Sequence, residues 1–465
     1  MTGPRGLAIP GPMELTKSPE EELDELELLT QPGREDDLRT FLLLLHPADL
    51  AELVDGVDER TAVAILRHLD PERAAEMVSE LDPEDQQRVL RLVRPEELAP
   101  IVGEMETDDV TDLLQELDER TAKQVLMSLP EDERQDVAKL LDYDPYSAGG
   151  IMQTELVSVP LHTNVGAALE AVREKARDVD ILSVFVVDDA GRYAGHVALQ
   201  DLVLSRVSTP IEEVMEPKVA EVTPDVDQEE VAHLFDRYSL VELGVVDDDG
   251  VLLGRITADD VHEVLVEEAE EDMLKMAGTA AEPEAIYSGN VAKIVAQRMP
   301  WLASTFFAGL LATSILSAAE VVFHEAIILL MFVPVITGMS GNVGTQSAMI
   351  MIRGMATGHI DTERLAAEIF KDLQVCAVMA LTCGVAVTGV VTLWKGHLAL
   401  GLCVGVALAI SMVTASALGS TEPALLKRFG IDPAVAAGPL ITSINDVSGV
   451  MIYTAVASFF LQYIR

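Results

Sequence analysis

Asp446 lies in Leu440-Ile-Thr-Ser-Ile-Asn-Asp446-Val-Ser-Gly449, the one carboxylate read as deep inside a long apolar stretch. A carboxylate at membrane depth is costly and normally faces a cavity or a partner. No basic residue lies within an apolar stretch of this chain, which argues against an ion pair inside a helix bundle. A second apolar stretch carries Pro334-Val-Ile-Thr-Gly338-Met-Ser-Gly341-Asn342-Val-Gly344-Thr-Gln346. Its proline and glycines predict an interrupted helix with freed carbonyls, tolerated at membrane depth only where it is buried or lines a cavity. Asn342, Thr345 and Gln346 add polar side chains. Close packing of helices through small residues is the competing reading of Gly338, Gly341 and Gly344. Carboxylate, carbonyl, amide and hydroxyl oxygens together suit a small, hard divalent cation that keeps much of its water.

A second constellation precedes the apolar half. Between Ala258 and Gly278 stand Asp259, Asp260, Glu263, Glu267, Glu268, Glu270, Glu271 and Asp272. On a helix Asp260, Glu263, Glu267, Glu268 and Glu271 fall near one face, where like charges repel. A divalent cation bridging them to other carboxylates would favour the compact state over the open one, which is the requirement for gating. The plainer reading is a solvated acidic face.

The charge is divided unevenly. Residues 292–465 hold nine acidic and nine basic side chains, so the whole net charge of −46 lies in the first 291 residues. Such a field repels nucleic acid and attracts cations. Cys376, Cys383 and Cys403 all lie in apolar runs without metal-ligand spacing and read as small apolar residues. No cleavable signal peptide is visible at the N-terminus, so the acidic half is expected in the cytoplasm.

Five stretches are long and apolar enough to span a bilayer: Pro300–Ala319, Ala326–Ile352, Leu373–Trp394, about 396–421 and about 434–464. With the acidic half inside, the inner flanks carry Lys293, Arg298, Arg353, Arg364, Lys371, Lys427 and Arg428, and the outer ones only Lys395 and Arg465. That asymmetry obeys the positive-inside rule and places the C-terminus outside the inner membrane. No phosphate-binding loop signature is present, so ATP-driven transport has no support. The nine histidines are scattered and no nucleophile–base arrangement stands out, which argues against an enzyme.

The acidic half divides further. Residues 1–37 read as a disordered leader. Residues 38–145 read as a helical array: Val57-Asp-Glu-Arg-Thr-Ala62 recurs as Leu117-Asp-Glu-Arg-Thr-Ala122, and Leu69-Asp-Pro71 as Leu81-Asp-Pro83. Each Asp can cap a helix and each Pro suits the first turn, so short helices should stack into a superhelix. Residues 146–262 alternate strands and helices in two copies. Val184–Asp189 and Val245–Asp249 end in acidic turns with Gly191 and Gly250. Tyr193–Ala198 and Val251–Thr257 follow as second strands; Val165–Arg177 and Gln228–Tyr238 precede as helices. This twofold β-α-β-β-α pattern resembles a tandem CBS pair. Ile256-Thr-Ala-Asp-Asp260 matches the module's Thr-x-x-Asp signature, where family members often hold a nucleotide ribose, whereas the first copy has Ala198-Leu-Gln-Asp201. Thr257 and Asp260 are therefore candidates for ATP or another adenine nucleotide.

With the glycine motif of the second span, the Asp446 motif of the fifth, and Glu268-Ala-Glu-Glu-Asp272 with Lys275-Met-Ala-Gly278 before the membrane, the chain resembles the MgtE-type magnesium channels. The resemblance covers nearly the whole length. It implies three parts: an α-helical superhelical N domain, an α/β tandem CBS pair, and an all-α five-helix transmembrane domain (292–465). Residues 263–291 would form the acidic plug between the last two. It further implies a homodimer with its pore on the twofold axis, closed when Mg²⁺ is plentiful. Two copies of Asp446 could then share a Mg²⁺ ion across the axis. Gly338, Gly341, Asn342, Thr345, Thr442 and Asn445 would line the pore, although family members often have Asn at Thr345 and Ala at Thr442. Asp260, Glu263, Glu268, Glu271 and Asp272 match metal-binding positions of the plug region. Asp432 matches a carboxylate that shares metal with the plug, and Asp227 and Glu229 match acidic positions of the CBS region. A coupled divalent-cation transporter or exporter is the alternative.

Overall fold

The computed structural model describes residues 33–175, 181–278, 291–320, 326–356, 365–429, 431–436 and 438–464, with single residues among 23–30 and at 324 and 360. Residues 1–22 of the expected leader, 279–290 of the expected plug, the end of the Val165–Arg177 helix and the inner basic residue Arg364 lie outside the described residues. The chain forms two compact units, residues 1–266 and 267–465.

Among the described residues from Glu35 to Leu140 the first unit has nine short helices: α1 (Glu35–Leu42), α2 (Pro47–Asp55), α3 (Glu59–His68), α4 (Pro71–Ser79), α5 (Pro83–Leu90), α6 (Pro95–Val102), α7 (Thr107–Glu116), α8 (Glu119–Leu126) and α9 (Glu131–Leu140). The repeated Asp residues start them as the sequence predicts. Asp58 accepts from the Thr61 N–H at 2.9 Å, Asp70 from Arg73 at 3.1 Å and Asp118 from Arg120 at 3.2 Å. Asp82 makes no such bond, although Pro83 still occupies the first turn. Each helix packs on the one two places along, α1 on α3, α2 on α4, and so on to α7 on α9. That arrangement gives a two-row superhelix around one leucine- and valine-rich core. Leu26 is buried in that core, so packing begins inside the segment read as a leader.

Then come β1 (Ser158–Pro160), α10 (Val165–Lys175), β2 (Ser183–Val187), β3 (Tyr193–Ala198), α11 (Leu199–Leu204), α12 (Ile211–Val214) and β4 (Glu216–Pro217). The second copy has α13 (Gln228–Tyr238), β5 (Glu242–Val246), β6 (Leu252–Thr257) and α14 (Ala258–Met276). The first copy's sheet runs β1-β2-β3-β4, with β1 parallel to β2 and the rest antiparallel. The second is the β5-β6 hairpin, with Val222 bridging Val245 in the place of a first strand. Gly191 and Gly250, at φ +79° and +82°, take the left-handed turn positions that favour glycine. The two turns join: Tyr193 donates to the Gly250 carbonyl at 3.0 Å and Leu252 to Gly191 at 3.2 Å. Arg255 on β6 and Glu242 on β5 form a buried ion pair at 2.5 Å, and Ser183 of β2 donates to the same carboxylate.

The second unit holds α15 (Val291–Ala318), a 3₁₀ turn (Ile327–Phe332), α16 (Val333–Ala356), α17 (Leu365–Lys395), α18 (Leu398–Arg428), a second 3₁₀ turn (Pro433–Ala436) and α19 (Pro439–Ile464). Among the described residues five helical segments are long and apolar enough to cross a membrane. α18 is central, packed against α16, α17 and α19, while α15 packs on α19 and buries none of its residues within the unit.

Three expectations change. The glycine motif does not interrupt its helix: α16 is continuous from Val333 to Ala356, and the irregular turn lies upstream. Interior glycine costs a helix only about 1 kcal/mol each, and packing against α18 and α19 offsets that. Pro334 falls in the first turn, where its missing N–H is no loss. Helices α15, α17 and α18 are longer than their apolar windows, with Lys293 and Arg298 lying within α15, whereas α19 starts at Pro439 rather than near 434. Finally, Asp446 is not alone: α17 carries Asp372, which accepts from Ser416 of α18 at 2.7 Å, and α18 carries Glu422.

Candidate functional site

In the membrane unit the face of α16 against α19 decides what each motif residue can do. A Cβ on Gly344 would lie 2.9 Å from Cγ of Asn445, and one on Gly449 would lie 3.1 Å from Oγ of Ser340. These two contacts set the helices antiparallel and put Asp446 level with Gly341 to Gly344. A Cβ on Gly419 of α18 would collide with the Gly344 carbonyl oxygen. Gly344 therefore serves close packing. Gly338 and Gly341 differ: a Cβ there meets nothing within 4 Å among the described residues. Asn342 is exposed, and Asp446, Thr345 and Thr442 are half-buried. Thr442 donates to the Gly438 carbonyl at 3.4 Å. Asn445 is fully buried against Gly344, and neither its amide oxygen nor its nitrogen has a hydrogen-bond partner among the described residues. Its placement inside the subunit differs from the pore-lining position expected for it. Asn and Gly in these motifs form one packing pair, and the small residue makes room for the amide.

In the first unit, acidic residues from two distant segments meet. Glu106 precedes α7, Asp108 and Asp109 lie in its first turn, and Asp260 and Glu263 lie on α14. Gln153 donates to Glu106 at 2.6 Å and to Asp260 at 3.4 Å. Asp109 accepts from Ser79 at 2.6 Å, and Glu155 accepts from the Thr107 hydroxyl at 2.7 Å. Burial and mutual repulsion raise the carboxyls of Glu106, Asp108, Asp109 and Asp260. Glu106 is pushed up to about 7, first by burial and then by Asp109 and Asp260. Asp260 rises to about 6 through burial, against the opposing hydrogen bonds from Thr257. Asp108 and Asp109 also move upward, loss of hydration again coming first. No group of three or more His, Cys, Asp or Glu is arranged as a ready metal cage among the described residues. The acids form a mutually repelling set rather than a preformed site.

Thr257 and Asp260 bond each other: the Thr257 hydroxyl donates to Asp260 at 2.6 Å and its N–H does so at 3.1 Å. Asp227 has a structural task, since it caps α13 and accepts from the Glu229 N–H at 2.8 Å. Glu229 is exposed beside it. Nothing in the sequence marks Glu106, Asp108 and Asp109 as members of this set. The run Glu106-Thr-Asp-Asp109 reads there as acids favoured at a helix N-terminus, and only the fold brings Asp260 to them.

The C-terminal end of α14 belongs to the second unit. There Glu268, Glu271 and Asp272 are half-buried. Lys275 lies 2.6 Å from Glu271 and 2.6 Å from Asp432. Partial burial works against the ammonium charge, but these two bonds outweigh it and hold Lys275 above its ordinary pKa. Asp432 also caps the second 3₁₀ turn, accepting from Ala434 at 2.8 Å.

Residues 333–456 match the MgtE divalent cation transporter family, 45–146 the MgtE intracellular N domain, and 148–207 and 211–267 CBS domains. The magnesium transporter MgtE of Thermus thermophilus is 38% identical over 332 residues, covering 71% of this chain and 73% of that one. The magnesium transporter MgtE of Bacillus subtilis is 30% identical over 338 residues, 72% of this chain and 74% of that one. Among solved structures, the cytosolic domain of the Mg²⁺ channel MgtE in complex with ATP is 35% identical, with a TM-score of 0.50 over 52% of this chain and 99% of that one. The soluble part of a magnesium transporter also gives 0.50, at 29% identity over 54% of this chain and all of that one. With a helical N domain, a CBS pair and five apolar helices in the matching order, this multi-pass membrane protein belongs to the MgtE divalent cation transporter family.

Proposed function

We propose that the protein is a Mg²⁺-selective channel. It admits Mg²⁺ to the cytoplasm down the electrochemical gradient and is closed by Mg²⁺ bound to its acidic cytoplasmic sites. The observation that carries this reading is Asp446, half-buried on α19 level with the open-faced glycine helix α16. Open space at Gly338 and Gly341 supports a pore between two copies of the chain. Across that axis two Asp446 carboxylates, with Asn342, Thr345 and Thr442 nearby, offer oxygens to a hydrated cation. Entry needs no pump, since a divalent ion gains roughly 4.6 kcal/mol across 100 mV, twice the single-charge value. The names of the relatives support Mg²⁺ as cargo.

Closure follows from the acids. The raised carboxyls around Glu106 and Asp260 are repelling groups that a divalent cation would quiet, so Mg²⁺ favours the compact arrangement. Glu263, Glu268, Glu271, Asp272 and Asp432, with Asp227 and Glu229, are the further regulatory carboxylates. The formed Thr257–Asp260 pair supports an adenine nucleotide at the second CBS copy. Titration calorimetry with ATP tests it, and loss of heat in Thr257→Val is expected.

The test of transport is Mg²⁺ uptake into vesicles holding the purified protein, with Asp446→Asn alongside. Wild-type uptake driven by an inside-negative potential, and its loss in the variant, is expected. Uptake that saturates and needs a counter-ion would instead indicate a coupled transporter.

A further inference from the structure

Lys275 occupies the point where the regulatory reading expects a metal ion. Its ammonium is 2.6 Å from Glu271, one turn earlier on α14, and 2.6 Å from Asp432, beyond the end of α18. The Lys275 side chain is only 23% exposed, so water screens these contacts incompletely. Its neighbours fix the position. Met276 packs on Ala348 and Ile352 of α16. Gly278, at φ +77°, ends the helix in a left-handed turn set against Pro439, the first residue of α19. Lys275 thus pairs with Asp432 beside two packing points, on the two helices that carry Gly338, Gly341 and Asp446.

We propose that Lys275 is a built-in competitor for the divalent cation at the Glu271–Asp432 pair. It holds the two carboxylates together when the cation is absent and raises the concentration at which the cation replaces it. The proposal rests on the regulatory reading above. An ammonium gives two carboxylates one charge and up to three donors, whereas Mg²⁺ gives two charges and needs oxygens at about 2.0–2.1 Å. The two cannot occupy one position, so the cation must turn Lys275 away. A lysine suits this task because its single flexible stem lets the charge swing aside, unlike a forked guanidinium.

The test is hydrogen–deuterium exchange of the peptide spanning residues 267–278 in the full chain, followed against Mg²⁺ concentration for wild type, Lys275→Met and Lys275→Arg. Without divalent ion, Lys275→Met should exchange about fivefold faster than wild type, the scale of one half-exposed ion pair. Adding Mg²⁺ should restore its protection at a midpoint about fivefold below wild type. Lys275→Arg should keep the metal-free protection, which separates lost charge from a damaged fold. A midpoint in Lys275→Met equal to or above wild type overturns the competitor and leaves Mg²⁺ regulation standing. No Mg²⁺ effect on this peptide in any of the three proteins overturns both.

Discussion

Glu106, Asp108, Asp109 and Asp260 meet although they come from separate segments, and their charges oppose one another. The consequence for stability has a definite sign. A carboxyl raised in the folded state holds its proton where the unfolded chain has lost it, so folding stability falls as pH rises through that window. For Glu106 the window runs from 4.5 to about 7, and for Asp260 from 3.8 to about 6. In chelator, calorimetry of the full chain should therefore show the first unit melting higher at about pH 5.5 than at about pH 8. The difference should shrink in Glu106→Gln/Asp260→Asn and when millimolar Mg²⁺ is added. An equal melting temperature at both pH values in chelator would remove the repulsion from the account. Asp260 and Glu263 were legible in the sequence as part of an acidic run. Glu106, Asp108 and Asp109 were not, because a charge near a helix start looks the same whether it faces water or other acids. In the sequence Lys275 is visible only as part of Lys275-Met-Ala-Gly278, and its seat between Glu271 and Asp432 depends on tertiary structure.

The helices show the same division. Continuous apolar stretches are visible without a structure, since membrane depth demands about 20 such residues, and all five became helices. The paired motifs in the CBS region were equally legible: Tyr193–Ala198 and Gln228–Tyr238 form elements with those bounds. What glycine does was harder to read. Gly338, Gly341 and Gly344 follow one another at the same spacing, yet only Gly344 is pressed against Asn445, while Gly338 and Gly341 face open space. The difference separates folding from transport. Gly419→Ala should overpack the contact with Gly344 and lower stability by about 1–3 kcal/mol, read as an earlier thermal transition in detergent. Gly338→Ala should leave that transition unchanged or raise it slightly, since alanine favours a helix by up to about 1 kcal/mol, and should still reduce Mg²⁺ uptake. A Gly338→Ala protein with full uptake would place that glycine away from the permeation path.

Taken whole, the chain sets a net charge of −46 in its first 291 residues beside an apolar half that is neutral overall. Acids of one helix, α14, fall in both compact units: Asp260 and Glu263 in the first, Glu268, Glu271 and Asp272 in the second. A cation that quiets repulsion at both ends of that helix can bias the state of the membrane helices through differential binding alone. On the proposed function the transported ion also closes its own path. The direct test is to record currents from membrane patches holding the purified protein while Mg²⁺ is stepped on the cytoplasmic face. Mg²⁺ current at low internal Mg²⁺ that shuts as internal Mg²⁺ rises is expected, with no current from Asp446→Asn at any concentration. Wild-type current that ignores internal Mg²⁺, at constant driving force, would contradict it.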